Sequence, residues 1–170
     1  MQTATGDNVE VIAVKGNFDD CQRMVKEATQ DPQVLASLHN VTISSANSIN
    51  VGRLIPQVVY YYSSYCKLVK DGAIQCGDPV NFVVPTGNFG DILAGYLAYR
   101  TGLPVNQLIC ASNSNNVLTD FLNTGLYDRR RELILTESPS MDILVSSNLE
   151  RLIFEANNRD AKKTKKLMDE

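Results

Sequence analysis

The run NFVVPTGNFGDILAGYLAY, residues 81–99, constrains the fold more than any other stretch. It opens on Phe82, Val83 and Val84, aromatic and β-branched side chains of the kind that fill a buried strand. Pro85 closes that strand, because it has no N–H to give to a central ladder. Thr86, Gly87, Asn88, Phe89 and Gly90 follow, and the two glycines allow backbone angles and close approaches denied to other residues. From Ile92 the apolar residues shift to helical spacing, with Leu93, Tyr96 and Leu97 on one side. The order is strand, glycine loop, helix.

Such an order suits an anion. The first N–H groups of a helix lack carbonyl partners, and the helix dipole places partial positive charge there. A glycine loop feeding that end can turn several N–H groups toward a phosphate. The loop has neither the G-x-G-x-x-G of a dinucleotide fold nor a Gly-Lys-Ser/Thr phosphate loop. On the motif alone, an ordinary strand-to-helix turn and an anion cradle both stay open.

The sequence PTGNFGDILAGYLA closely resembles the phosphate-binding loop and following helix of threonine synthase, a pyridoxal-phosphate enzyme of fold type II. Three other stretches resemble the same family in the same order: residues 16–20 (GNFDD), residues 45–50 (SANSIN), and residues 138–144 (SPSMDIL) with 147–152 (SNLERL). Ordered matches over most of the chain are far more specific than any one of them. The resemblance implies conversion of O-phospho-L-homoserine and water to L-threonine and phosphate, with pyridoxal phosphate as electron sink. It implies that Gly87, Asn88, Phe89 and Gly90 hold the cofactor phosphate through backbone N–H groups, with Asp91 adjoining. A carboxylate at that helix end is unfavourable unless it points away.

The same resemblance places the Schiff-base lysine before Met1, and Lys15, Lys26, Lys67 and Lys70 do not sit in the family's lysine motif. No catalytic residue is therefore expected here. Threonine synthases are much longer, so the chain is expected to be an internal fragment, inactive alone, with the polar residues 1–7 as a cut end. Residues 1–44 are expected in the smaller domain of the family and residues 45–170 in the larger, cofactor-phosphate-binding one. Two other readings remain: a stand-alone module binding a phosphorylated metabolite, and a non-catalytic assembly domain acting through residues 51–71.

Composition narrows the field. A chain of 170 residues can bury one good core. A net charge of −3 argues against nucleic acid as partner, which would ask for a basic excess. No run of roughly 18 apolar residues suggests a membrane span, and no signal peptide opens the chain. Cys21, Cys66, Cys76 and Cys110 form no C-x-x-C pair, which fits free thiols in a reducing cytoplasm. His39 has no neighbouring ligands, so no metal site is expected. Whether the chain forms a homo-oligomer is left open by the sequence.

The remaining pattern alternates strands and helices, the mark of an α/β fold with a mostly parallel sheet and helices on both faces. Strands are expected over residues 9–14, 41–43, 82–84, 107–111 and 133–135. Helices are expected over residues 20–29, capped by Asn17 or Asp19, then 32–38, 51–71, 92–100, 117–123 and 148–157. Val51 to Asp71 reads as the longest helix, with a glycine cap at Gly72. Its Tyr60, Tyr61 and Tyr62 span both faces. Polar loops at residues 44–50 and 112–116 suit local backbone bonds or a polar ligand. The latter follows a strand, where open parallel sheets bind ligands. Residues 161–170, rich in lysine, read as a surface helix or frayed tail.

Overall fold

The computed structural model describes residues 6–169. Residues 1–5 of the polar start expected over 1–7, and the last residue of the lysine-rich tail, lie outside them. The chain divides into two compact units, one ending at Val41 and the other beginning at Thr42.

The first unit holds two helices. The α1 helix runs Phe18–Gln30 and is opened by Asn17, whose side chain accepts from the Asp20 N–H while the Asp20 carboxylate accepts from the Asn17 N–H. This reciprocal capping box satisfies two donors that the helix itself cannot. The α2 helix, Pro32–Ser37, begins with proline at its first position and is capped by Asp31. The expected strand over residues 9–14 does not form. These residues carry the right side chains, but a strand needs a ladder partner, and Val11 and Ile12 stand 57% and 74% exposed.

The second unit is built around a parallel pair. Strand β1, Val80–Pro85, pairs with β2, Val105–Ala111, in a register that sets Val84 beside Cys110 and Pro85 beside Ala111. Between them runs α5, Gly90–Arg100. Two parallel strands need such a crossover, and a helix is the compact way to make it. Ile92, Leu93, Ala94 and Ala98 of α5 are almost wholly buried, joined in the core by Val84, Leu103, Leu118 and Leu149. Burying a Leu or Ile contributes about 2 kcal/mol each, so α5 is the best-anchored helix of the unit.

The long helix expected over residues 51–71 is interrupted. It forms as α3, Val51–Leu54, a 3₁₀ turn, Ile55–Gln57, and α4, Val58–Lys70. Pro56 is the cause: it has no N–H for the α-helical ladder, and its ring crowds the carbonyl four residues back. Gly72, at φ 72°, ends α4 as expected. The tyrosine run divides its work. Tyr60 is exposed, the Tyr61 ring is buried edge-on to Phe82 with centroids 4.9 Å apart, and the Tyr62 hydroxyl reaches Thr101.

Beyond β2 come α6, Val117–Thr124, a 3₁₀ turn, Pro139–Met141, then α7, Leu149–Ala156, and α8, Ala161–Asp169. Gly125, at φ 78°, closes α6. The short strands expected over residues 41–43 and 133–135 are irregular backbone instead. At Ile134 the reason is visible. Its N–H donates to Asn115 Oδ1 and its carbonyl accepts from Asn115 Nδ2, so one side-chain amide satisfies what a neighbouring strand would have satisfied. Among the described residues no helix is long and apolar enough to cross a membrane, and all four cysteines are unpaired.

Candidate functional site: the glycine loop ahead of α5

The loop leaves β1 at Pro85, and the Thr86 N–H still reaches the Ala111 carbonyl, so it starts from the ends of both strands. Phe89 occupies the position before α5 in the left-handed region, φ 64° and ψ 12°, with its ring 4% exposed in the core. A non-glycine residue there costs roughly 1 kcal/mol, which the buried ring offsets. Left-handed turns of this kind point successive N–H groups toward one side.

The hydrogen bonding of the loop is one-sided. The Gly87 carbonyl accepts from Ser146 Oγ, the Asn88 carbonyl from the Asn148 N–H and from Asn148 Nδ2, and the Phe89 carbonyl from the Leu93 N–H. The N–H of Gly90 is held by Asn88 Oδ1 at 3.1 Å. The N–H groups of Gly87, Asn88, Phe89 and Asp91 donate to no acceptor among the described residues. Backbone donors near a core are nearly always paired, so a row of spare donors at a helix start is what an anion would need.

The glycines are explained by what lies behind the loop. A Cβ on Gly90 would stand 2.5 Å from Ser48 Oγ, and one on Gly87 would stand 2.8 Å from Ile143 Cδ1. Both are closer than side-chain atoms approach, so the glycines let the loop sit against residues 48 and 143.

Asp91 turns away from the row of donors. Its carbonyl and its Oδ1 both accept from the Tyr61 hydroxyl, at 2.8 Å and 3.2 Å, and its side chain lines an open cleft with Tyr60, Ser64 and Phe82. Partial burial holds the Asp91 carboxyl above the usual carboxylate range, only in part offset by the Tyr61 hydrogen bond. The Tyr61 hydroxyl is itself pushed well above the usual phenol range, by burial first and then by the Asp91 charge. The Cys110 thiol is likewise raised by burial, which keeps it protonated rather than nucleophilic.

The polar loops divide. From residues 44–50, Ser48 reaches the glycine loop, its Oγ accepting from Asn88 Nδ2 and Asn148 Nδ2, both at 3.0 Å. The amides of residues 112–116 serve a different centre. Asn113 and Asn115 donate to the buried Asp142 carboxylate, joined by the Thr136 N–H and hydroxyl. These donors, the Thr136 N–H foremost, hold the Asp142 carboxyl below the usual range. Sequence reasoning missed Ser146, Asn148 and Arg151 behind the loop. An asparagine just before a helix reads as its cap, yet Asn148 makes no capping bond to α7.

A strand, a loop of spare N–H donors and a helix start define an α/β segment able to hold a phosphate. No protein-family model matches the chain. It is 48% identical to threonine synthase of Pseudomonas aeruginosa over 172 residues, which cover 99% of this chain and 34% of that protein. It is 49% identical to human threonine synthase-like 1 over 158 residues, 91% of this chain and 21% of that one. Among solved structures, the pyridoxal-phosphate-bound threonine synthase of Brucella melitensis aligns at TM-score 0.74 and 47% identity, over 91% of this chain and 32% of the other. Yeast threonine synthase aligns at TM-score 0.75 and 40% identity, over 99% and 33%. The chain thus spans between about a fifth and just over a third of the relatives it matches. Over that span, sequence and fold are those of the threonine synthase family, to which the chain belongs.

Proposed function

We propose that the protein to which this sequence belongs converts O-phospho-L-homoserine and water to L-threonine and phosphate, and that this chain supplies the anchor for the phosphate of pyridoxal phosphate. The observation that carries the reading is the row of unsatisfied N–H groups at Gly87, Asn88, Phe89 and Asp91 beside the start of α5. Bound there, the cofactor supplies the electron sink for carbanion chemistry at the substrate. The chain's own part is to bind and orient. The N–H groups of Gly87, Asn88, Phe89 and Gly90 would hold the phosphate, and the helix dipole would add positive potential. For the Gly90 N–H this requires the Asn88 amide to share it. Asp91 contributes its N–H, with its carboxyl kept on the Tyr61 side.

The lysine that holds the cofactor covalently is assigned to no residue here, so the chain by itself binds the cofactor reversibly and forms no threonine. Residues 1–44 belong to the smaller domain and residues 45–170 to the larger one. The unpaired cysteines fit a cytoplasmic protein.

Equilibrium dialysis of the chain against pyridoxal phosphate, followed by borohydride reduction and mass spectrometry, tests this. The reading expects saturable binding that inorganic phosphate displaces, and no adduct at one particular lysine. Threonine formed by the chain from O-phospho-L-homoserine would overturn its inactivity. Absence of binding by a folded sample would overturn the anchor.

A further inference from the structure

Behind the glycine loop lies a closed set of polar side chains. Asn148 is fully buried, at 0% exposure, and both ends of its amide are hydrogen-bonded. Its Oδ1 accepts from Arg151 Nη1, which fixes which way round the amide lies, and its Nδ2 therefore faces the Asn88 carbonyl at 3.1 Å and Ser48 Oγ at 3.0 Å. Its own N–H donates to the same Asn88 carbonyl. Arg151 spans outward, giving Nη1 to the Ser48 carbonyl at 2.7 Å and Nη2 to the Ile49 carbonyl at 2.6 Å. That grip holds Ser48, whose Oγ accepts from both Asn88 and Asn148.

We propose that Asn148, its amide set by Arg151, is a positioning residue for the phosphate loop. It takes the Asn88 carbonyl to the rear and so commits the Phe89 N–H, in the middle of the loop, to the front. Two observations carry this beyond ordinary packing. Asn148 stands where a helix cap belongs yet gives its side chain to the loop, leaving the start of α7 without its cap. And its two donations converge on one carbonyl, doubling the hold on a single peptide plane whose N–H belongs to Phe89. A peptide plane held at its oxygen cannot rotate its N–H away.

The inference rests on the phosphate reading of the loop for its purpose, but its test does not. Asn148→Asp is the decisive variant: it keeps the shape, gives Arg151 a charged partner, and replaces the Nδ2 donor by an oxygen that repels the Asn88 carbonyl. In the ligand-free variant, the amide signals of Gly87, Asn88, Phe89 and Gly90 should move or broaden and their hydrogen exchange should quicken about tenfold or more, on the scale of one lost hydrogen bond. Those of β2 should stay in place. Affinity for pyridoxal phosphate should fall by a similar factor per folded molecule. Glu150→Gln, exposed on the same helix, serves as control and should change neither. Should Asn148→Asp not fold, Arg151→Lys, which loosens the hold on the Asn148 amide, carries the same expectation at smaller size. Unchanged loop amides in the folded variants would overturn the proposal. Altered loop amides with no ligand binding in either protein would leave the positioning intact and sink the phosphate reading instead.

Discussion

At the scale of single residues, the loop is set by atoms that stand too close for substitution. Gly90→Ala puts a methyl 2.5 Å from Ser48 Oγ and 2.7 Å from Ser48 Cβ, so the rear wall or the loop must move. Overpacking of this kind costs about 1–3 kcal/mol, and urea unfolding should report it as a lower midpoint with an unchanged slope. Asp91 gives a pH signature. Its folded-state carboxyl lies above its unfolded value, so the folded chain binds that proton more tightly. Its contribution to stability is therefore best below the unfolded value and declines as pH rises through the folded one. Asp91→Asn should remove that decline and leave the chain at least as stable at neutral pH. A variant that keeps the slope would show that another group causes it. Asp142 acts in the opposite sense. Its carboxyl lies below the usual range, so its contribution is present at neutral pH and lost on acidification through its folded value. Asp142→Asn should flatten the acid side of the stability curve while lowering the plateau.

At the scale of elements, α5 and α1 are held by different means. The Leu93 side chain is 2% exposed at the centre of the core, and Leu93→Ala should cost about 2–5 kcal/mol by calorimetry, enough to unfold a marginal domain. Asn17→Ala removes the capping box and should cost about 1 kcal/mol of α1 stability, seen as faster amide exchange in its first turn. Much of this level was legible in the sequence. The β1–loop–α5 unit, the cap at Asn17 and the closing glycine 72 follow from local rules that packing did not override. What was not legible was non-local. Residues 9–14 have strand composition without a partner, and Ile134 has its partner in an asparagine side chain nineteen positions earlier in sequence. The break at Pro56, by contrast, is local: the apolar stripe runs through residues 51–71, but a proline within it withholds the N–H that one continuous helix needs.

At the scale of the whole molecule, Thr42–Glu170 brings together stretches far apart in the chain. Ser48, Asn88 and Asn148 meet at one hydroxyl, across separations of 40 and 100 residues. Two other stretches that resemble threonine synthase therefore converge behind the loop that resembles it too, which periodicity could not foretell because none of these contacts is local. The loop glycines were visible as a motif. Their reason, the close rear wall at Ser48 and Ile143, needed the fold. The two flanking amides Asn113 and Asn115, which the sequence left open as ligand contacts, are instead committed to Asp142.

The most direct test of the central claim is an amide NMR titration of the labelled chain with pyridoxal phosphate, with inorganic phosphate run alongside. The account predicts saturable shifts at Gly87, Asn88, Phe89, Gly90 and Asp91, the same amides responding more weakly to phosphate alone. Saturable shifts gathered elsewhere, or none in that loop of a folded sample, would contradict it.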